Sequence, residues 1–130
     1  MTALRVLVVE DDAMIGALLA ELLADLGYDV SPVETTEAGA VAAAARSRPD
    51  LMIADMNLAD GSGVSAVDRV SRARPVPHLF ISGNVFQPEM PGAVLLRKPF
   101  READLVQAIG RALNPDGVER PPSLAPSPAA

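Results

Sequence analysis

The sequence predicts a doubly wound α/β fold with five parallel strands in the order 2-1-3-4-5. Short apolar runs alternate along the chain with segments whose apolar residues recur at helical spacing. This alternation is typical of a parallel sheet covered by helices on both faces. The chain has 130 residues, of which 49% are hydrophobic, so it can form one buried core but not two.

The order of the elements follows from these patterns. The first strand is the apolar run Leu4–Val9, and the helix after it is capped by Asp12 and ends at Gly27. The later predicted strands are Tyr28–Val33, Leu51–Ala54, His78–Ile81 and Ala93–Arg97, and the later helices run from Thr35 or Thr36 to about Ser47, from Val64 to Arg74 and from Arg101 to Leu113. Five strands in so short a chain fit the flavodoxin-like type of this architecture.

One connection departs from the regular alternation. The segment Ser82–Gly92, between the fourth and fifth strands, contains Gly83, Pro88 and Pro91. It is too short for a regular crossover helix, so the sequence predicts a shortened or missing fourth helix and a mobile loop. We expect one domain over residues 1–114 and a disordered tail rich in Pro, Ser and Ala over residues 115–130.

Composition excludes several classes of function. The chain has no cysteine, which excludes disulfides and thiolate metal sites. Its formal net charge is −6, and its basic residues are scattered, so we expect no direct contact with nucleic acid. The apolar run that ends at Glu10 is too short for a signal peptide or a membrane span. These features predict a soluble, cytoplasmic protein with no membrane partner.

Acidic residues follow the strands on either side of the point where strand order reverses. Glu10, Asp11 and Asp12 follow the first strand, and Asp55 follows the third. Ligands of doubly wound sheets bind at this switch point, at the carboxyl ends of the strands. Clustered carboxylates repel one another unless a cation lies among them, and oxygen donors favour a hard cation, so the sequence predicts a Mg²⁺ site.

Two further polar residues complete the predicted site. Ser82 follows the fourth strand and Lys98 the fifth, at the same edge of the sheet. A carboxylate such as that of Asp55 can attack phosphorus, while a lysine and a hydroxyl stabilise the phosphoryl oxygens. Acidic residues at strand ends often only cap the next helix, and a lysine before proline is often only solvated. Here an acid pair, an aspartate, a hydroxyl and a lysine each stand at the end of the appropriate strand, and this combination favours a phosphoryl-accepting site.

The same residues resemble a known family. Four stretches, Val8–Asp12, Ile53–Leu58, Ser82–Gly83 and Lys98–Phe100, are similar to the motifs of receiver domains from two-component response regulators. The resemblance covers Leu4 to about Leu113. It implies that Asp55 is the phosphoacceptor and that Glu10 and Asp11 bind Mg²⁺, with Asp11 as the direct ligand. It also implies that the Asn57 carbonyl contributes to the metal site, that Ser82 and Lys98 hold the phosphoryl oxygens, and that the Lys98–Pro99 bond is cis.

The sequence also departs from the usual receiver pattern. Leu95 replaces the aromatic residue that reports phosphorylation, and Ala59 stands where the loop after the phosphoacceptor often has proline. The stretch Pro77–Asn84 is similar to the Pro-Phe-x-Phe-Ala-Thr-Gly-Tyr signature of an atypical subgroup, the FATGUY receivers, although His78 and Asn84 differ from it. This subgroup lacks the aromatic switch and has an altered fourth helix.

The resulting hypothesis is a stand-alone response regulator that receives its phosphoryl group from a histidine kinase or a histidine phosphotransfer protein. It would act on an unidentified downstream protein or serve as a phosphate sink, and it would catalyse only its own phosphorylation and dephosphorylation. The wide apolar stripe of the first helix indicates either deep burial or a docking site at Met14 and Leu18. The alternatives are a non-phosphorylated interaction module and a Mg²⁺-dependent phosphatase or nuclease-like enzyme.

Overall fold

The computed structural model describes residues 3–83 and 92–114. Within these residues, five parallel strands form one sheet in the order β2-β1-β3-β4-β5. The strands are β1 (Arg5–Val9), β2 (Asp29–Val30), β3 (Leu51–Asp55), β4 (His78–Ser82) and β5 (Leu95–Arg97), and the helices are α1 (Ala13–Asp25), α2 (Glu37–Ser47), α3 (Gly63–Ala73) and α4 (Glu102–Leu113). The predicted fold class and strand order are confirmed.

The core has two halves, one on each face of the sheet. Alternate residues of the central strands point to opposite faces, because successive side chains of a strand alternate in direction. On one face Val8 and Ile53 pack in a cluster with Leu19 of α1 and Leu105 of α4. On the other face the strand residues pack against α2 and α3, whose buried side chains are mostly small: Ala40, Ala43, Ala44, Ala66, Val67 and Val70. The Ala-rich α2 therefore lies close to the sheet.

Three strands are shorter than the sequence predicts. The first begins at Arg5 rather than Leu4. The predicted strand Tyr28–Val33 is reduced to Asp29–Val30, followed by an isolated parallel bridge between Val9 and Glu34. The N–H groups of Asp29 and Ser31 donate to the carbonyls of Leu4 and Val6, but the next donor to this strand is Glu34, so one extra residue interrupts the register after Ser31. The fifth strand begins at Leu95 rather than Ala93, although the Phe80 N–H still donates to the Val94 carbonyl at 2.9 Å.

Helix ends follow the predicted capping residues. The Asp12 carboxylate accepts hydrogen bonds from the N–H groups of Met14 and Ile15, and Thr36 caps α2 through the N–H of Gly39. Gly27, just beyond α1, has φ +98°, a conformation that L side chains rarely adopt.

Two other predictions meet the limits of the described chain. The shortened or missing fourth helix is predicted between β4 and β5, where residues 84–91 lie outside the described residues. The predicted tail at 115–130 also lies outside them. Across the described ranges, no helix has the length and apolar character needed to cross a membrane.

Candidate phosphoryl-acceptor site

The switch point between β1 and β3 brings three carboxylates together. Val9 is in register with Ala54, so Glu10 and Asp55 lie side by side at the carboxyl ends of the two strands. Glu10 is 1% exposed and Asp55 is 5% exposed, whereas Asp11 is more accessible to solvent. One carboxylate oxygen from each of the three residues lies within 4.8 Å of the others. The structure thus unites the acid pair and the acid that the sequence assigned to one site.

Lys98 supplies the positive charge of this cluster. Its Nζ lies 2.9 Å from Asp55 Oδ2 and 3.3 Å from Glu10 Oε1. The shorter contact has the length of a charge-assisted hydrogen bond. The Lys98–Pro99 bond is cis, as the resemblance implies.

Ser82 lies at the same edge of the sheet. It is the last residue of β4 and is 2% exposed, and its backbone carbonyl accepts a hydrogen bond from the Lys98 N–H at 2.8 Å. The neighbouring Ile81 carbonyl accepts a hydrogen bond from the Met56 N–H, directly after Asp55. Backbone pairing therefore fixes Ser82 between the strand of Asp55 and the lysine.

Burial of two neighbouring carboxylates makes it unfavourable for both to be charged. Burial, the largest cause, and the neighbouring Asp55 carboxylate together raise the pKa of Glu10 from 4.5 to about 7, although the Asp12 N–H and Lys98 oppose the shift. Burial alone would lower the pKa of Lys98. The hydrogen bond to Asp55 and the charges of Asp55 and Glu10 outweigh burial, and the pKa of Lys98 is raised.

The donor set fits a hard divalent cation. Glu10 Oε1 is buried and accepts no hydrogen bond from any residue that the structure describes; its ion pair with Lys98 is its main compensation. Buried polar atoms normally have partners, so an unsatisfied carboxylate oxygen among other carboxylates indicates a place for a cation. Every ligand atom offered here is an oxygen, which Mg²⁺ prefers.

The loop after β3, residues 57–62, lies against the acidic cluster, and we call it the site loop. The Asn57 N–H donates to Asp55 Oδ1 at 2.9 Å, and the Ala59 N–H donates to Asp11 Oδ2 at 2.6 Å. Ala59 was noted in the sequence only because proline is frequent at its position. Its N–H, which proline lacks, instead ties the loop to one of the acids.

Two residues important to this geometry were not assigned to the site from the sequence. Gly63, the first residue of α3, lies directly against Asp55: a Cβ at this position would overlap the Asp55 carbonyl oxygen and lie 2.9 Å from its carbon. Glu37, the first residue of α2, accepts a hydrogen bond from the Ser62 N–H at the opposite end of the site loop. The Gly61-Ser62-Gly63 turn pattern is the sequence feature that could have indicated Gly63. No local pattern indicates Glu37.

A parallel sheet with an acid pair, a buried aspartate and a lysine at its switch point defines the class of signalling receiver domains. The chain belongs to the response regulator receiver domain family, whose family model matches residues 6–110. The resemblance inferred from the sequence is therefore confirmed.

Individual relatives support the same assignment. The chain is 38% identical over 117 residues to the phyllosphere-induced regulator PhyR of Methylorubrum extorquens, covering 85% of this chain and 44% of that protein. It is 32% identical over 116 residues to the transcriptional regulatory protein PdtaR of Mycobacterium tuberculosis, covering 85% of this chain and 57% of PdtaR. The chain thus spans about half the length of these curated relatives.

A solved structure shows the same fold over nearly the whole chain. The receiver domain of PhyR from Erythrobacter litoralis matches with a TM-score of 0.77 and 31% identity, covering 93% of this chain and 98% of that domain.

Proposed function

We propose that this chain is a response regulator receiver domain whose Asp55 accepts a phosphoryl group in a Mg²⁺-dependent reaction. The observation that carries the proposal is the contact of Asp55 with both Lys98 and the acid pair at the switch point of the sheet. An isolated buried aspartate would not by itself indicate a function. An aspartate paired with a lysine, beside a glutamate oxygen without a hydrogen bond, has the nucleophile and the charged groups that phosphoryl transfer needs.

The proposed reaction is a transfer between two side chains. A carboxylate oxygen of Asp55 attacks the phosphorus of a phosphohistidine on the donor protein, the new O–P bond forms, and the N–P bond breaks. The imidazole leaves and takes up a proton from solvent. The product is an aspartyl phosphate.

The residues around Asp55 have distinct proposed roles. The carboxylates of Glu10, Asp11 and Asp55 and the carbonyl of Asn57 would hold Mg²⁺, with Asp11 as a direct ligand. When bound, the ion supplies positive charge that offsets the carboxylates and the phosphoryl oxygens. The Lys98 ammonium stabilises one phosphoryl oxygen, and the Ser82 hydroxyl donates a hydrogen bond to another.

The proposed partners are proteins. The donor is a histidine kinase or a histidine phosphotransfer protein, and a docking surface at the start of α1 is supported by the exposure of Met14 (83%) and Leu18 (44%). We propose no nucleic-acid or membrane partner, a cytoplasmic location, and no catalysis beyond the protein's own phosphorylation and dephosphorylation. We propose that the receiver domain spans residues 1–114.

The output side is proposed to be atypical, as in the FATGUY-type subgroup. A phosphoryl group adds about −1.5 to −2 charge, which would draw Lys98 and Ser82 toward it. Leu95, at the position of the usual aromatic switch, is 36% exposed and carries no polar group to follow such a shift. The signal would therefore reach a downstream protein without a Ser–aromatic relay, or the protein would act as a phosphate sink.

Incubation with acetyl phosphate tests the proposal. Intact mass spectrometry should show a gain of one phosphoryl group that requires Mg²⁺ and disappears in Asp55→Asn. Asp68→Asn is the matched control, since Asp68 is an exposed carboxylate on α3 that pairs with Arg72. A gain that is independent of Mg²⁺, or that persists in Asp55→Asn, would contradict the proposal.

A further inference from the structure

The site loop is held from three sides. On the inner side, Ala59 donates to Asp11 and Asn57 donates to Asp55. Behind the loop, Gly63 packs on the backbone of Asp55. The third side is formed by Glu37, which belongs to a different helix and lies outside the acidic cluster.

Glu37 makes several polar contacts with the far end of the site loop and with α3. Its Oε1 accepts from the Ser62 N–H at 3.1 Å, and its Oε2 accepts from the Ser65 hydroxyl at 2.6 Å. Arg69 Nη1 lies 3.0 Å from the same Oε2. The Glu37 N–H in turn donates to the Asp60 carbonyl at 3.2 Å. One residue thus contacts the backbone of the loop through both its main chain and its side chain.

The packing around Glu37 is equally close. Gly61 has φ +93°, and a Cβ on it would lie 2.5 Å from the Glu37 Cβ. Ser62 is also the N-cap of α3, since its hydroxyl accepts the Ser65 N–H. The Glu37 carboxylate therefore lies at the amino ends of two helices, α2 and α3, where a negative charge is stabilised by the helix dipoles. In agreement, hydrogen bonds from Ser65, Ser62 and Arg69 lower the pKa of Glu37.

We propose that Glu37 is a positioning residue for the cation and phosphoryl site: it holds the site loop so that Asn57 and Ala59 meet Asp55 and Asp11. The inference rests on the proposed function, because the loop matters only if the acidic cluster binds Mg²⁺. Glu37 touches neither the acids nor Lys98 within the described residues, so it acts through the site loop and the start of α3.

The first test measures the loop without metal. Amide hydrogen exchange of Ala59, followed by NMR, reports the hydrogen bond to Asp11, which Glu37 does not make itself. In Glu37→Ala this exchange should become faster on the order of tenfold, because the loop opens more often. Val70→Ala is the matched control: Val70 is buried on the core side of α3, 8% exposed, and its truncation weakens the fold while leaving every Glu37 contact in place.

The second test measures Mg²⁺ affinity by isothermal titration calorimetry. Glu37→Ala should bind Mg²⁺ about tenfold more weakly than the wild type, as expected when a partner outside the ligand set is removed. Glu37→Gln keeps one acceptor oxygen and should retain an intermediate affinity. Val70→Ala should bind as the wild type does.

The outcomes separate this inference from the proposed function. Faster Ala59 exchange and weaker Mg²⁺ binding in Glu37→Ala, with neither change in Val70→Ala, support the inference. Unchanged Ala59 exchange in Glu37→Ala, or equal changes in Val70→Ala, overturn it. If the wild type itself binds no Mg²⁺, the proposed function fails and the positioning role toward the cation fails with it. If the wild type binds Mg²⁺ and Glu37→Ala binds it equally well, the role of Glu37 is refuted and the proposed function stands.

Discussion

Gly63→Ala tests whether the start of α3 supports the phosphoacceptor. The added methyl would overlap the Asp55 carbonyl oxygen and lie 3.0 Å from the Ala54 Cβ. Overpacking of a rigid region costs about 1–3 kcal/mol, whereas alanine gains at most about 1 kcal/mol in helix propensity. The net result should be a loss of about 1–2 kcal/mol in the free energy of unfolding, or a fall of roughly 5–10 °C in Tm for a domain of this size.

The same substitution should also slow phosphorylation. Displacing the Asp55 backbone moves its carboxylate relative to Lys98 Nζ, now 2.9 Å away. Since small misplacements of reacting groups have large effects on rate, the rate of phosphorylation by acetyl phosphate should fall on the order of tenfold. Both quantities can be measured on the folded variant, by urea unfolding followed by circular dichroism and by intact mass over time.

A second glycine provides the control. A Cβ on Gly110 of α4 would meet no atom within 4 Å, so Gly110→Ala should stabilise the protein by about 0.5–1 kcal/mol through helix propensity alone. We expect the free energy of unfolding to fall in Gly63→Ala and to rise in Gly110→Ala. If Gly63→Ala were as stable as the wild type and were phosphorylated at the same rate, the close contact with Asp55 would have no consequence and the reasoning would be refuted.

Three further predictions concern other parts of the domain. Asp12→Ala removes the acceptor of two N–H groups at the start of α1 and should cost about 1 kcal/mol in urea unfolding; an unchanged midpoint would show that the cap is dispensable. Met14→Asp should slow phosphotransfer from the cognate kinase but not from acetyl phosphate, since Met14 is exposed; equal rates from the kinase would argue against docking there. The ionised form of Glu37 is stabilised in the fold because its pKa is lowered from 4.5, so its contribution is present above that pH and is lost as pH falls through the folded pKa. The difference in Tm between wild type and Glu37→Gln should therefore shrink below pH 4.5, and a constant difference would contradict this.

The residues that the sequence could place are those whose position follows from strand order alone. Glu10, Asp55, Ser82 and Lys98 end or follow parallel strands, and such ends meet at one edge of a sheet. The structure brings the carboxylates and the lysine into contact as expected. The sequence prediction extends the second strand to Val33, whereas the strand ends at Val30, because the register with β1 breaks between Ser31 and Glu34 and apolar character does not reveal such a break.

The contacts that the sequence could not indicate depend on backbone atoms and on distant pairs. The hydrogen bond from Ala59 to Asp11 uses a main-chain N–H, so the side chain at position 59 gives no sign of it. Glu37 looks like an ordinary acidic residue in the first turn of an Ala-rich helix, but its partner Ser65 lies 28 residues away in sequence. Its environment becomes evident only when α2 and α3 are packed side by side.

The most direct measurement of the central claim locates the phosphoryl group. After reaction with acetyl phosphate and Mg²⁺, borohydride reduction converts an aspartyl phosphate to homoserine, which peptide sequencing by mass spectrometry can identify. We expect homoserine at position 55 in the wild type and at no position when Mg²⁺ is omitted. Modification at Asp11, Asp12 or any other residue, with position 55 unchanged, would contradict the account.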